Sequence, residues 1–249
     1  MKNPLRISCV SFVALLGSIL APQVAPAENL PDCRPALLTN GRRSLVNLIN
    51  LESLVKQGQG NATVMFSCGV NSLGFAGAGE FYRGTPNSEK LGREVVRRID
   101  NAQFEPAVYH HTHVGVWISG TVTFIIKDGK PHLRVFLNQE EDDLLKGRDF
   151  IAPQYVNAPD NYKFRGIRWP ANAPGHDGFV AIQLTIDAEG KVQGTKLEYE
   201  YPPNLGFGRE TNAIRDAWFI PGFREGKPGP CRFTWVLHFE GPGLQMKTG

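Results

Sequence analysis

The chain has 249 residues, 41% of them hydrophobic and 20% charged, a composition that fits a folded globular protein and excludes a disordered or fibrous one. Residues 1–27 hold two basic and no acidic groups, so the remainder carries 25 basic against 24 acidic groups. That near balance, with no cluster of Lys or Arg, gives no support to a nucleic-acid partner.

Taken in chain order, the first segment reads as a leader. "MKNPLR" supplies Lys2 and Arg6, "VSFVALLGSILA" is an apolar run, and Ala25–Pro26–Ala27 is a small-residue cleavage pattern. The apolar run falls short of the about 20 residues a membrane-spanning helix needs. The expectation is therefore cleavage after Ala27 and export, with the rest of the protein in the periplasm. Export permits disulfides. Of the remaining cysteines, Cys33, Cys68 and Cys231, a Cys33–Cys68 bridge is expected to tie the proline-flanked segment "LPDCRPAL" to the first core. No C-x-x-C occurs, so redox catalysis and structural zinc lack their usual signature.

Residues 62–74, "ATVMFSCGVNSLG", alternate as a strand into a glycine-rich return. "VVRRIDNAQFEP" follows as a helix closed by Pro106. "YHHTH" at 109–113 then leads into a last strand at 116–125. On a strand His111 and His113 would share a face while His110 points away. This loop is the basis of the alternative reading, a periplasmic metal-binding protein or enzyme using His110–His113. A polar loop between the helix and the last strand explains it more simply, because spacing identifies no third ligand. "EEDD" at 140–143 lacks the glycine of a calcium loop and reads as a solvated acidic face. Gly77–Ala78–Gly79 does not lie between a strand and a helix of a nucleotide-binding unit. Trp117, Trp169, Trp218 and Trp235 read as packing residues.

The second half has the clearest pattern. In "GFVAIQLTID", Val180, Ile182, Leu184 and Ile186 share one face. "AEGK" turns the chain and "VQGTKLEYE" returns. "RETNAIRDAWF" reads as a short amphipathic helix stopped by Pro221, and "RFTWVLHFE" closes the unit with Phe233, Trp235, Leu237 and Phe239 on one face. The same order lies upstream: Val64 matches Val180, Gly74 matches Gly190, Phe104 matches Phe219 and Pro106 matches Pro221, with one residue of slip across the span. The expectation is an α+β fold of two tandem ββαβ units, each an antiparallel sheet with a helix on one face. Its divisions are a leader at 1–27, a first domain with an N-terminal extension at 28–140, a linker at 141–167 and a second domain at 168–245.

"GFVAIQLTIDAEGKV", "AIRDAWFIPGFREGKP" and "FTWVLHFE" together resemble the C-terminal domain of TonB, the periplasmic end of the bacterial energy transducer, more closely in the second copy than in the first. The resemblance implies a binding module and not an enzyme, one that holds a peptide segment of an outer-membrane receptor or periplasmic protein by strand addition, with a role in TonB-type transport. No catalytic constellation, cofactor or metal site is expected. A three-stranded unit whose first strand is central leaves its last strand at an edge. Thr234, Val236 and His238 would then face outward and select the partner sequence.

Overall fold

The computed structural model describes residues 29–138, 149–158 and 177–239, together with 144, 146–147, 161, 170, 172 and 247–248. The expected leader, the acidic run 140–143 and Trp169 lie outside the described residues.

The N-terminal segment forms β1 (Cys33–Arg34) and β2 (Leu37–Leu38), then α1 (Leu45–Leu48) and α2 (Leu51–Lys56). Asn50 caps α2 by accepting from the Ser53 N–H at 2.9 Å, meeting one of the donors a helix start leaves open. A hairpin of β3 (Ala62–Val70) and β4 (Ala76–Gly84) leads to α3 (Glu89–Ile99). Leu91, Val95 and Ile99 recur at helical spacing on α3 and are buried, which fixes the face it lays on the sheet. Next come β5 (Phe104–Glu105), β6 (Ala107–Tyr109), the 16-residue β7 (Thr112–Lys127) and β8 (Lys130–Phe136). The connecting region contributes β9 (Phe150–Ile151) and β10 (Gln154–Asn157). The second half runs β11 (Gly178–Ile186), β12 (Val192–Tyr201), a helical turn α4 (Phe207–Glu210) continued as a tighter turn over Thr211–Asp216, and then β13 (Phe219–Ile220). It ends with β14 (Gly222–Arg224), β15 (Lys227–Gly229), β16 (Cys231–Phe239) and β17 (Lys247–Thr248).

These strands form four antiparallel sheets. An eight-stranded sheet follows β1-β6-β7-β10-β13, with β3 and β8 also paired to β7 and β4 paired to β3. A four-stranded sheet runs β12-β11-β16-β17, a three-stranded one β15-β14-β9, and β2 pairs with β5.

This corrects the expected fold class. The molecule is predominantly β, and it does not consist of two tandem ββαβ units. The strand order recurs locally, but the sheets ignore the expected seam: β10 pairs with β7 on one side and with β13 on the other. The cores interlock as well. Ile220 is buried with the first core, while Phe150, Ala152 and Tyr155 are buried with the second. The physical reason is β7. It extends past the repeated strand at both ends, and its length leaves ladder positions that β6, β8 and β10 complete.

Where the sequence repeats, the backbone does repeat its bonding. Gly74 and Gly190 take φ of +83° and +86°, and their carbonyls accept from the N–H groups of Phe104 and Phe219, each at 2.8 Å. Before them, the Asn71 side chain accepts from Leu73 and Phe75, as the Asp187 side chain does from Glu189 and Lys191. The shared "F-x-P" is thus where the chain after each helix bonds back to a hairpin turn.

The expected Cys33–Cys68 bridge does not form; Cys33 and Cys68 are free thiols. Register explains this. Cys33 aligns with Tyr109, which pairs with Thr112 on β7, whereas Cys68 pairs with Ile118, six residues further along. That is about 20 Å along a strand, well beyond the reach of a disulfide, about 7 Å between Cα atoms. Burial, with Asp32 adding to it, pushes the Cys33 thiol up to about 11, and burial with Asp100 pushes Cys68 up further. Both stay protonated and poorly nucleophilic near neutral pH.

Candidate protein-binding edge

The four-stranded sheet has one face on the second core. Val180, Ile182, Leu184 and Ile186 of β11 and Phe233, Trp235, Leu237 and Phe239 of β16 are all buried there, as the period-two pattern requires. The other face follows from register. Tyr201, Phe179 and His238 form one row, Tyr199, Ala181 and Val236 the next, and Lys196, Gln183 and Thr234 the third. Phe179 holds the first two rows together, with ring centroids 5.2 Å from Tyr199, 5.9 Å from Tyr201 and 5.8 Å from His238. Glu198 bridges the third row, accepting from the Gln183 amide at 3.0 Å and the Thr234 hydroxyl at 3.2 Å.

Thr234, Val236 and His238 therefore do share the face opposite the core. Their edge of the sheet, at β16, is the covered one. Val236 is only 8% exposed. His238 lies 3.8 Å from the Glu80 carboxylate of β4, and β17 pairs with β16 at Leu237 and His238. The open side is β12. Among the described residues it pairs only with β11, and its outer backbone edge runs for ten residues. Leu197, Tyr199 and Tyr201 along it are 46%, 50% and 52% exposed.

The local sequence builds this edge. A register shift between Ala181 and Ile182 sets Leu197 opposite Ile182 and Tyr199 opposite Ala181. The bulge at Glu198 thereby turns Leu197 to the helix side and Tyr199 to the outer face. Glu200 anchors the strand's end: its carboxylate accepts from the backbone N–H groups of Gly206, Phe207 and Gly208 at 2.7, 3.2 and 3.3 Å. Tyr199 is readable as a strand residue in "VQGTKLEYE" and Tyr201 lies one residue beyond that run, but alternation alone gives no hint of the bulge or of which edge stays open.

The other rims of the sheets differ. β8 carries Lys130 and Pro131, residues that discourage strand pairing. β4 is interrupted by Ala78 at φ +52° and by register shifts against β3.

The histidine loop is a tight turn. His110 and His111 both take positive φ, +47° and +58°, between β6 and β7, as a two-residue hairpin turn demands. Their Nδ1 atoms meet the Asp32 carboxylate at 3.2 Å and the Leu30 carbonyl at 2.8 Å, so they clasp the N-terminal segment. His113 sits on β7 opposite Val108. Among the described residues no group of three His, Cys, Asp or Glu is arranged to hold a metal.

Compared with family models, with curated proteins and with solved structures, the chain matches none.

Proposed function

We propose that this chain is a protein-binding module that takes an extended segment of a partner protein as an added strand on β12. One observation carries the reading: a ten-residue edge strand, unpaired on its outer side among the described residues, lined by half-exposed Leu197, Tyr199 and Tyr201. Such an edge presents a row of backbone donors and acceptors that an incoming strand completes, while alternate side chains set sequence preference. The two tyrosines offer rigid, amphipathic contact area of the kind that dominates binding energy. The resemblance to the TonB C-terminal domain and the leader-like residues 1–27 support an exported protein in the periplasm. The partner would be an outer-membrane receptor or another periplasmic protein, in a transport role of the TonB type.

The test is selection of peptides from a displayed random library on the purified chain, followed by hydrogen exchange. Peptides that bind should protect amides within 192–201, and methylating alternate peptide nitrogens should abolish binding. Tyr199→Lys with Tyr201→Lys should weaken binding by about tenfold to a hundredfold while leaving the fold intact. Protection confined to 231–236 would return the site to the strand carrying Thr234 and Val236, and protection on no strand edge would remove strand addition altogether.

A further inference from the structure

A second site lies on the other sheet. On the face of β4, β3, β7 and β8 turned away from the first core, register aligns Arg83, Met65, Thr121 and Phe136 in one row. Thr63, Thr123 and Arg134 form the next, then Ile125 and His132, then Lys127. Apart from Thr121, which is buried, these residues line an open groove of about 980 Å³. Its floor is apolar or threonine: Met65, Ile125, Phe136, Thr63 and Thr123. Ile125 is 48% exposed. Its rim is basic, with Arg83 on one bank and Arg134, His132 and Lys127 on the other. Among the described residues no carboxylate lines the groove, and none of these four side chains is in an ion pair.

Two constraints select the occupant. Three cationic side chains, Arg83, Arg134 and Lys127, around an apolar floor call for an anion with a hydrocarbon part; Arg in particular presents a fork that matches carboxylate and phosphate oxygens. The backbone beneath the floor is already paired across β4-β3-β7-β8. A polypeptide laid in the groove would therefore bury N–H and C=O groups without partners, at a cost in binding. An alkyl chain has no such groups. The volume also falls within the range of small-molecule sites. From this we infer that the groove binds an anionic amphiphile, a single alkyl chain bearing a carboxylate or phosphate head, with the chain on Met65, Ile125 and Phe136 and the head held by Arg83 or Arg134.

The experiment titrates the chain with dodecanoate and with dodecyl phosphate, read by calorimetry and by backbone amide shifts. Dodecyltrimethylammonium and inorganic phosphate serve as controls. Saturable binding near one to one is expected for at least one of the two anions, with shifts at Thr63, Thr123, Ile125 and Arg134; the stronger of the two identifies the head group. Loss of one charge-assisted contact in Arg83→Gln or Arg134→Gln should weaken binding by about tenfold. Ile125→Asp, which puts a carboxylate on the floor, should reduce it further, and circular dichroism should show all three variants folded. Equal binding of the cationic amphiphile, shifts confined to Tyr199 and Tyr201, or variants that bind like the parent would overturn the proposal. So would inorganic phosphate that displaces dodecyl phosphate at equal concentration, because the alkyl chain would then contribute nothing.

Discussion

Gly190 shows how much one residue can fix. Its φ of +86° belongs to the left-handed region, and a Cβ built there would stand 1.8 Å from the Phe219 carbonyl oxygen. Gly74 repeats the arrangement, with φ +83° and 2.2 Å to the Phe104 oxygen. A side chain at either position must break the bond between hairpin turn and "F-x-P" segment, not merely strain a torsion. Gly74→Ala and Gly190→Ala should each lower stability by about 2–4 kcal/mol in urea unfolding. Gly226→Ala is the control: its φ is +74° but nothing lies within 4 Å of the added carbon, so about 1 kcal/mol is expected. Equal losses at all three would mean that backbone conformation alone matters and that the contact to Phe219 does not. These glycines were legible, because a turn between two alternating runs asks for one. The histidine turn was not, since His110 and His111 both hold positive φ without the residue types that usually announce it.

At the scale of elements, a carboxylate of α3 helps to tie that helix to the N-terminal helices, beside the bonds from Lys90 to the Gln57 carbonyl and from the Leu91 N–H to the Gln59 side chain. Glu94 is buried and accepts from the Asn50 N–H at 3.1 Å, from Arg98 Nε at 2.8 Å and from the Arg97 guanidinium. Burial alone would raise its pKa, but the bonds from Arg97, Arg98 and Asn50 outweigh that and hold it below the ordinary 4.5. A depressed pKa contributes stability that is present above the unfolded value and is lost as pH falls through the folded one. Glu94→Gln should therefore cost about 1–3 kcal/mol at pH 7, and the gap between variant and parent should narrow below pH 4.5. A gap independent of pH would show that the side chain acts through packing. Long elements such as this helix, β3, β11 and β16 were readable because each repeats its period several times. Strands of two to four residues such as β9, β10 and β13 run through their two-residue period only once or twice, and their partners lie far away in sequence. β8 was the missed opportunity. Asp128 and Gly129 take φ of +52° and +72°, the two-residue hairpin signal standing plainly between β7 and β8.

Over the whole molecule, the question is whether the two repeated segments fold as separate bodies. The sequence divides them at 141–167, because the repeat is strongest on either side of that stretch. The packing crosses it. Phe150, Ala152 and Tyr155 are buried among the side chains of β11 and β16, and Tyr155 lies 5.3 Å from Trp235 and 5.8 Å from Phe219, ring to ring. Buried Gln154 bonds both backbone groups of Ala36, at 2.7 and 2.9 Å, so the same short strand also reaches the N-terminal segment. A fragment of residues 168–245 would lose Phe150 and Tyr155 at about 1.5–3 kcal/mol each, with a smaller loss from Ala152. It would also expose Phe219 and Trp235, against a total stability of about 5–15 kcal/mol for a typical domain. We expect that fragment to show poorly dispersed amide spectra and no cooperative thermal transition, and a fragment beginning at 147 to regain both. The comparison isolates the crossing residues, because both fragments contain the whole second repeat. Cooperative unfolding of 168–245 at the temperature of the longer fragment would show that β9 and β10 are passengers and that the second repeat is a domain in its own right.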